Sequence, residues 1–134
     1  MPISHVVNHD AQQVLITASG VLRLEELVVQ LIAIADDGAF GYGRRFDARA
    51  VTTMPSSEET RRLVALVARL RAEHGHGRTA FLTTADVAFG MGRMYAALAA
   101  ETDPGFMVFR SLEAADDWLG WISEPRDAES RRGS

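Results

Sequence analysis

The chain has 134 residues, 47% hydrophobic and 24% charged, with a formal net charge of −4 at pH 7. That length builds one core and not two, and the balance is that of a globular domain rather than a disordered or membrane-spanning chain. Cysteine is absent and all 14 basic residues are arginine, which removes thiolate nucleophiles, disulfides, iron–sulfur clusters and cysteine zinc sites, together with Schiff-base and P-loop lysines.

No apolar run approaches the roughly 20 residues that cross a bilayer. Met1-Pro2-Ile3-Ser4-His5 lacks a basic stretch leading into an apolar one, so no secretory leader is read and the cytoplasm is the expected location. The acidic balance argues against nucleic acid as a partner, because counterion release needs a basic face.

Ile3–Asn8 and Val14–Ala18 are β-rich runs separated by the turn residues His9–Gln13, a hairpin pattern. The second run is nearly continuous in apolar residues and predicts an interior strand buried on both faces. After Gly20, a helix is expected over Leu24–Asp36, with Leu24, Leu27, Val28, Leu31, Ile32 and Ala35 on one face. Val29 and Ile34 widen that stripe enough to suggest cover by a partner subunit. Arg23 is a poor N-cap, while Glu25 and Glu26 complement the helix dipole. The glycines of 37–43 precede a strand instead of opening a helix, so they read as a mobile connection and not a phosphate cradle.

A third strand is expected over Arg45–Val51. Ser56-x-x-Glu59 is a capping box opening a helix over Ser57–His74. Leu63, Leu66, Val67 and Leu70 face the core of that helix, and Glu58, Arg61, Arg62, Arg69 and Arg71 form a solvated side. Gly75 and Gly77 stop it. Thr79–Thr84 is the fourth strand, and Thr83-x-x-Asp86 reads as a second capping box for a helix over Ala85–Glu101. Its expected inner face is Val87, Met91, Met94, Tyr95 and Leu98. Gly90 and Gly92 each cost about 1 kcal/mol relative to alanine in a helix interior, which signals close approach of a neighbouring chain segment or a ligand. Phe106–Arg110 is the fifth strand, and Ser111 caps a last helix containing Leu112, Ala115, Trp118, Leu119 and Ile122. From Ser123 the absence of apolar anchors predicts a frayed tail. The expected fold is therefore α/β: one mixed, mostly parallel five-stranded sheet with four helices, in the order β-β-α-β-α-β-α-β-α. It forms a single domain over 1–122 with a tail over 123–134.

That order, with Gly20-Val21-Leu22 before the first helix, Phe46-Asp47-Ala48-Arg49-Ala50-Val51 in the third strand and Ala88-Phe89-Gly90-Met91-Gly92-Arg93-Met94 in the third helix, resembles the STAS family. This is the fold of the anti-sigma-factor antagonists, related to the CRAL-TRIO lipid-transfer superfamily, and more narrowly that of small bacterial SpoIIAA-like domains. In the antagonists, a strand ending in Asp leads to an Asp-Ser-Ser-Gly turn whose first serine is phosphorylated by a partner kinase. The resemblance lays Asp47 on the strand Asp, Met54 on a Met and Ser56 on the phospho-acceptor. Pro55 replaces the Asp before the serines, and Glu58 replaces the glycine after them. The helix dipole would favour a phosphate at Ser56, while Glu58 and Glu59 would repel it; the N-cap role accounts for the residue by itself.

In an open α/β sheet, ligands collect at the carboxyl ends of strands beside helix N-termini. Asp47, Arg49, Ser56, Ser57 and Arg93 are thus a candidate anion or partner surface, with an Asp47–Arg93 ion pair as the plainer alternative. Phe89, Met91, Met94, Tyr95 and Met107 are flexible or aromatic residues able to line an apolar pocket, although such faces are usually plain core. His74 and His76 have no further residues at metal-ligand spacing, so neither a metal nor a cofactor is expected. The adjacent pairs Asp36–Asp37 and Asp116–Asp117 point to different helix sides and make no acid/base couple. The functional expectation is a non-enzymatic, cytoplasmic, regulatory STAS/SpoIIAA-like interaction domain with a protein partner, as a homodimer through apolar helix faces. Two alternatives stand beside it: a binding domain for an apolar or lipid-like small molecule, and a hydrolase.

Overall fold

A computed structural model describes residues 3–121. The element order is β1 (Ile3–Asn8), β2 (Gln13–Val21), α1 (Leu24–Asp36), β3 (Gly43–Thr53), α2 (Ser57–His74), β4 (Thr79–Leu82), α3 (Asp86–Leu98), β5 (Phe106–Phe109) and α4 (Leu112–Leu119). Ile122 and the tail from Ser123 lie outside the described residues.

The single sheet runs β1-β2-β3-β4-β5 in space, with β1 antiparallel to β2 and every other neighbour parallel. Each parallel crossover steps one strand further in the same direction. Right-handed connections then place α1, α2 and α3 on one face, and α4 lies on the other against β3, β4 and β5. The strand order never reverses between the parallel strands, so the crevice that a reversal opens at the carboxyl edge is not built here.

A second consequence falls on β2. Val14, Ile16 and Ala18 are buried beneath α1 to α3, but Thr17 and Ser19 on the other side are exposed, because α4 covers only β3 to β5. The expectation of a strand buried on both faces is corrected: β2 is interior to the hydrogen-bonded sheet yet covered on one side. The β2–β3 register shifts where Thr17 pairs Asp47 and Ser19 pairs Ala50. This leaves one additional residue in β3, a bulge that reverses side-chain parity. Phe46 and Ala48 face the core before it and Val51 after it.

The helices differ in which residues they bury. In α1 the buried face is Leu27, Leu31, Ile34 and Ala35; Ile32 turns outward with Val29. In α3 it is Ala88, Gly92 and Tyr95, while Val87 and Leu98 are exposed. Size misleads here, because the small residues of α3 are what allow it to approach the sheet. A Cβ on Gly92 would lie 3.0 Å from the Phe81 ring and 3.2 Å from Val108, whereas one on Gly90 would meet nothing within 4 Å. Gly90→Ala is expected to stabilise the protein by about 1 kcal/mol and Gly92→Ala to destabilise it by about 1–3 kcal/mol. Urea unfolding of the pair checks this, and a gain at both positions would contradict the packing.

Thr83 is not the N-cap of α3. It is fully buried beyond β4, its amide donating to the Phe109 carbonyl at 3.0 Å, and Ala85 caps the helix without a side-chain bond. By contrast, the Ser56–Glu59 capping box is complete, and Ser111 Oγ accepts from the Ala114 amide. The glycine-rich connection before β3 is pinned by Ala39 and Phe40, both buried, which corrects its reading as a mobile loop.

Candidate functional site

α2 packs on α1 and α3, and its Val67 and Leu70 join the core to which Phe46 and Phe81 of the sheet belong. The space beneath α2 is a cavity of about 80 Å³. Phe46 and Phe81 form its floor, Leu63 and Val67 its roof, and Leu31 and Met91 two of its sides. A water molecule takes about 30 Å³ in the liquid, so the space admits a few waters or the short apolar part of a small ligand. Phe46, Phe81 and Phe106 run in sequence across neighbouring strands with centroids 5.3 and 5.9 Å apart, an aromatic row on the sheet face that the helices cover.

The two ends of the cavity differ in chemistry. Leu22, Met54 and Pro55 line the end at the carboxyl edge of the strands. Arg44, Thr79, Asp103 and Phe106 line the opposite end. Arg44 is 3% exposed; its Nε donates to Thr79 Oγ1 at 3.1 Å, its Nη1 donates to the Phe40 carbonyl, and its guanidinium stacks 4.4 Å over the Phe40 ring. Arg71 Nε donates to the Thr102 carbonyl at 2.9 Å and Nη1 to the Gly77 carbonyl at 3.1 Å. The same Nη1 lies 3.1 Å from Asp103 Oδ1, close enough for an ion pair but not aligned to donate, so that oxygen has no hydrogen-bond partner. Tyr95 Oη donates to Asp103 Oδ2 at 3.0 Å.

Burial, partly offset by the Asp103 charge and reinforced by Arg71, lowers the Arg44 pKa to about 10, so it remains a cation at neutral pH. Burial first, then the Asp103 charge and hydrogen bond, push the Tyr95 phenol well above its ordinary value, which keeps its proton available to donate.

Of the residues expected to line an apolar pocket, Met91 and Tyr95 do so. Phe89 does not; it stacks beneath the Arg110 guanidinium at 4.0 Å. Met94 is half-buried away from the cavity, and Met107 points to the α4 side of the sheet, 45% exposed.

The surface expected from Asp47, Arg49, Ser56, Ser57 and Arg93 is not assembled. Strand parity turns Asp47 toward the α4 face with Arg45, while Arg93 is exposed on α3 across the sheet. Asp47 is instead held by Arg49, whose Nε and Nη2 donate at 3.0 and 2.8 Å and whose amide donates at 3.1 Å. Burial alone would raise the Asp47 pKa; those bonds and the Arg49 and Arg45 charges outweigh it and lower the pKa. Ser56 and Ser57 are exposed at the start of α2. The Ser56 oxygen accepts from the Glu59 amide at 3.1 Å while its own amide donates to Glu59 Oε1 at 2.9 Å. The Ser56 amide, then its hydroxyl, lowers the Glu59 pKa.

Arg71 is corrected from the solvated side of α2 to the interior, being 5% exposed. Asp116 and Asp117 do point apart: Asp116 is buried and accepts from Arg45 Nη1 at 2.6 Å, whereas Asp117 is exposed. His74 and His76 are both exposed. Among the described residues no three His, Asp or Glu side chains converge as a metal site, and no helix is long and apolar enough to cross a membrane. Set against known proteins, the sequence matches no family model and no curated protein.

Proposed function

We propose that this chain is a non-catalytic binding domain that holds a small, largely apolar ligand between α2 and its sheet. The observation that carries this reading is the cavity itself, an apolar space between α2 and the sheet walled by Phe46, Phe81, Leu63 and Val67. Buried apolar space of this kind is costly to leave empty and binds small hydrocarbons when it is offered them. Two of the polar groups lining it are engaged structurally, Thr60 Oγ1 donating to the Ser56 carbonyl and Tyr95 to Asp103, which favours binding over chemistry. The element order and the strand-three sequence support the resemblance to STAS/SpoIIAA-like domains and their lipid-transfer relatives.

Thermal unfolding with and without cyclopropane, an apolar molecule small enough for this space, tests the proposal. At a concentration about a hundredfold above Kd, the ligand should add about 2.7 kcal/mol of stability. Val67→Phe, which fills the roof of the cavity, should abolish the shift. A wild-type midpoint that does not move overturns the reading.

A second reading, a regulatory interaction domain acting as a homodimer, draws on Val29 and Ile32, which lie exposed on the outer side of α1. Light scattering after size exclusion decides it: a dimer that Val29→Glu dissociates supports it, and a monomeric wild type removes it.

A further inference from the structure

We infer that the ligand carries an anionic group, a carboxylate, that binds Arg44 at the polar end of the cavity; this rests on the cavity-binding reading above. The charged groups gathered at that end are Arg44, Arg71 and Asp103, each 5% exposed or less, with Tyr95 neutral beside them. Two guanidiniums face one carboxylate, so the buried cluster holds an excess positive charge. Arg71 takes the carboxylate: it is the arginine within ion-pair distance of Asp103. Arg44 has no carboxylate within that distance among the described residues. Its Nε and Nη1 are bonded to Thr79 and the Phe40 carbonyl, neither of which carries charge, and Nη2 has no hydrogen-bond partner among the described residues.

Arg44 thus shares the one carboxylate with Arg71, and a buried cluster with a net positive charge is unfavourable. Arginine is also the side chain whose flat donor array suits a carboxylate. The cavity therefore offers a ligand two unlike contacts: apolar walls along α2 for a hydrocarbon portion, and a fixed guanidinium for an acidic head. The volume of about 80 Å³ restricts the ligand to a short monocarboxylate, because a second charge would have no partner at the Leu22–Met54–Pro55 end.

The test compares propionate with 1-propanol, which has the same three-carbon chain and no charge, against the 134-residue chain. Binding is followed by thermal shift and by the methyl resonances of Leu31, Leu63, Val67 and Met91. Propionate should bind roughly tenfold or more tighter than propanol, the value of a charge-assisted hydrogen bond, with shifts confined to those methyls. Arg44→Met should bring the two ligands to similar affinity. If Arg44→Met does not fold, the wild-type comparison decides alone. Propanol bound as tightly as propionate overturns the anion inference and leaves the apolar cavity reading in place. Propionate shifts spread over surface methyls overturn it as well. If neither ligand binds, both readings fall.

Discussion

Asp103→Ala should destabilise the protein by about 3–5 kcal/mol, the penalty for removing one partner from a buried ion pair. The substitution leaves Arg44 and Arg71 as two buried cations with no carboxylate between them, and it strips Tyr95 Oη of the acceptor it now meets at 3.0 Å. The backbone should not share the blame, since the Asp103 amide to the Ala99 carbonyl and the Phe106 amide to the Asp103 carbonyl do not involve the side chain. Asp103→Asn keeps an acceptor for Tyr95 while removing the charge, so it should fall between the wild type and the alanine variant. Urea denaturation of the three proteins at neutral pH measures this directly. A loss below about 1 kcal/mol for Asp103→Ala, the range of exposed pairs, would mean that the arginines are solvated and that the buried cluster is misdescribed.

Phe46→Ala should also cost about 3–5 kcal/mol, the range for deleting a buried aromatic ring. Phe46 is 6% exposed, sits on the central strand and contacts the Phe81 ring with centroids 5.3 Å apart. Its loss widens the cavity floor, so the variant should accept ligands that the wild type excludes. Indole should raise the variant's unfolding midpoint and leave that of the wild type unchanged. If the variant loses little stability and binds nothing larger, α2 has settled onto the sheet.

Much of the scaffold was legible because its signals are local. The α1 and α2 boundaries followed from helical periodicity and from the Ser56–Glu59 box, whose two bonds are both present. The alternation of strands and helices implied the mixed sheet. What failed were readings that treated residue type as a proxy for position. Val87 and Leu98 looked like the core of α3, yet Gly92 and Ala88 make the approach to Phe81 and Val108. Arg71 looked solvated because it is charged. Its spacing of four from Val67 placed it on the buried side all the same, and its bonds to Thr102 and Gly77 satisfy it there.

The site was less legible for two physical reasons. Arg44 alternates with Phe46 and Ala48 on the inward side of β3, but the third strand was expected only from Arg45, so its burial was missed. The Asp103 that balances Arg71 comes from a turn far along the chain, and nothing in the sequence pairs them. The Asp47–Arg93 convergence assumed that strand ends and helix starts share one edge. Parity turns Asp47 to the opposite face, where Arg49 meets it. The cavity is lined by Leu63 and Val67 of α2 and by Phe46 and Phe81 of two strands, residues that no single stretch of sequence brings together.

A crystal structure of the 134-residue chain under xenon pressure shows whether α2 bridges an open apolar space. Xenon enters dry apolar cavities large enough to hold it. An ordered xenon atom is expected between the helix and the sheet, in contact with Phe46, Leu63, Val67 and Met91, and absent from Val67→Phe. A wild-type structure with no xenon there, and with Leu63 and Val67 packed directly on the Phe46 and Phe81 rings, would contradict it.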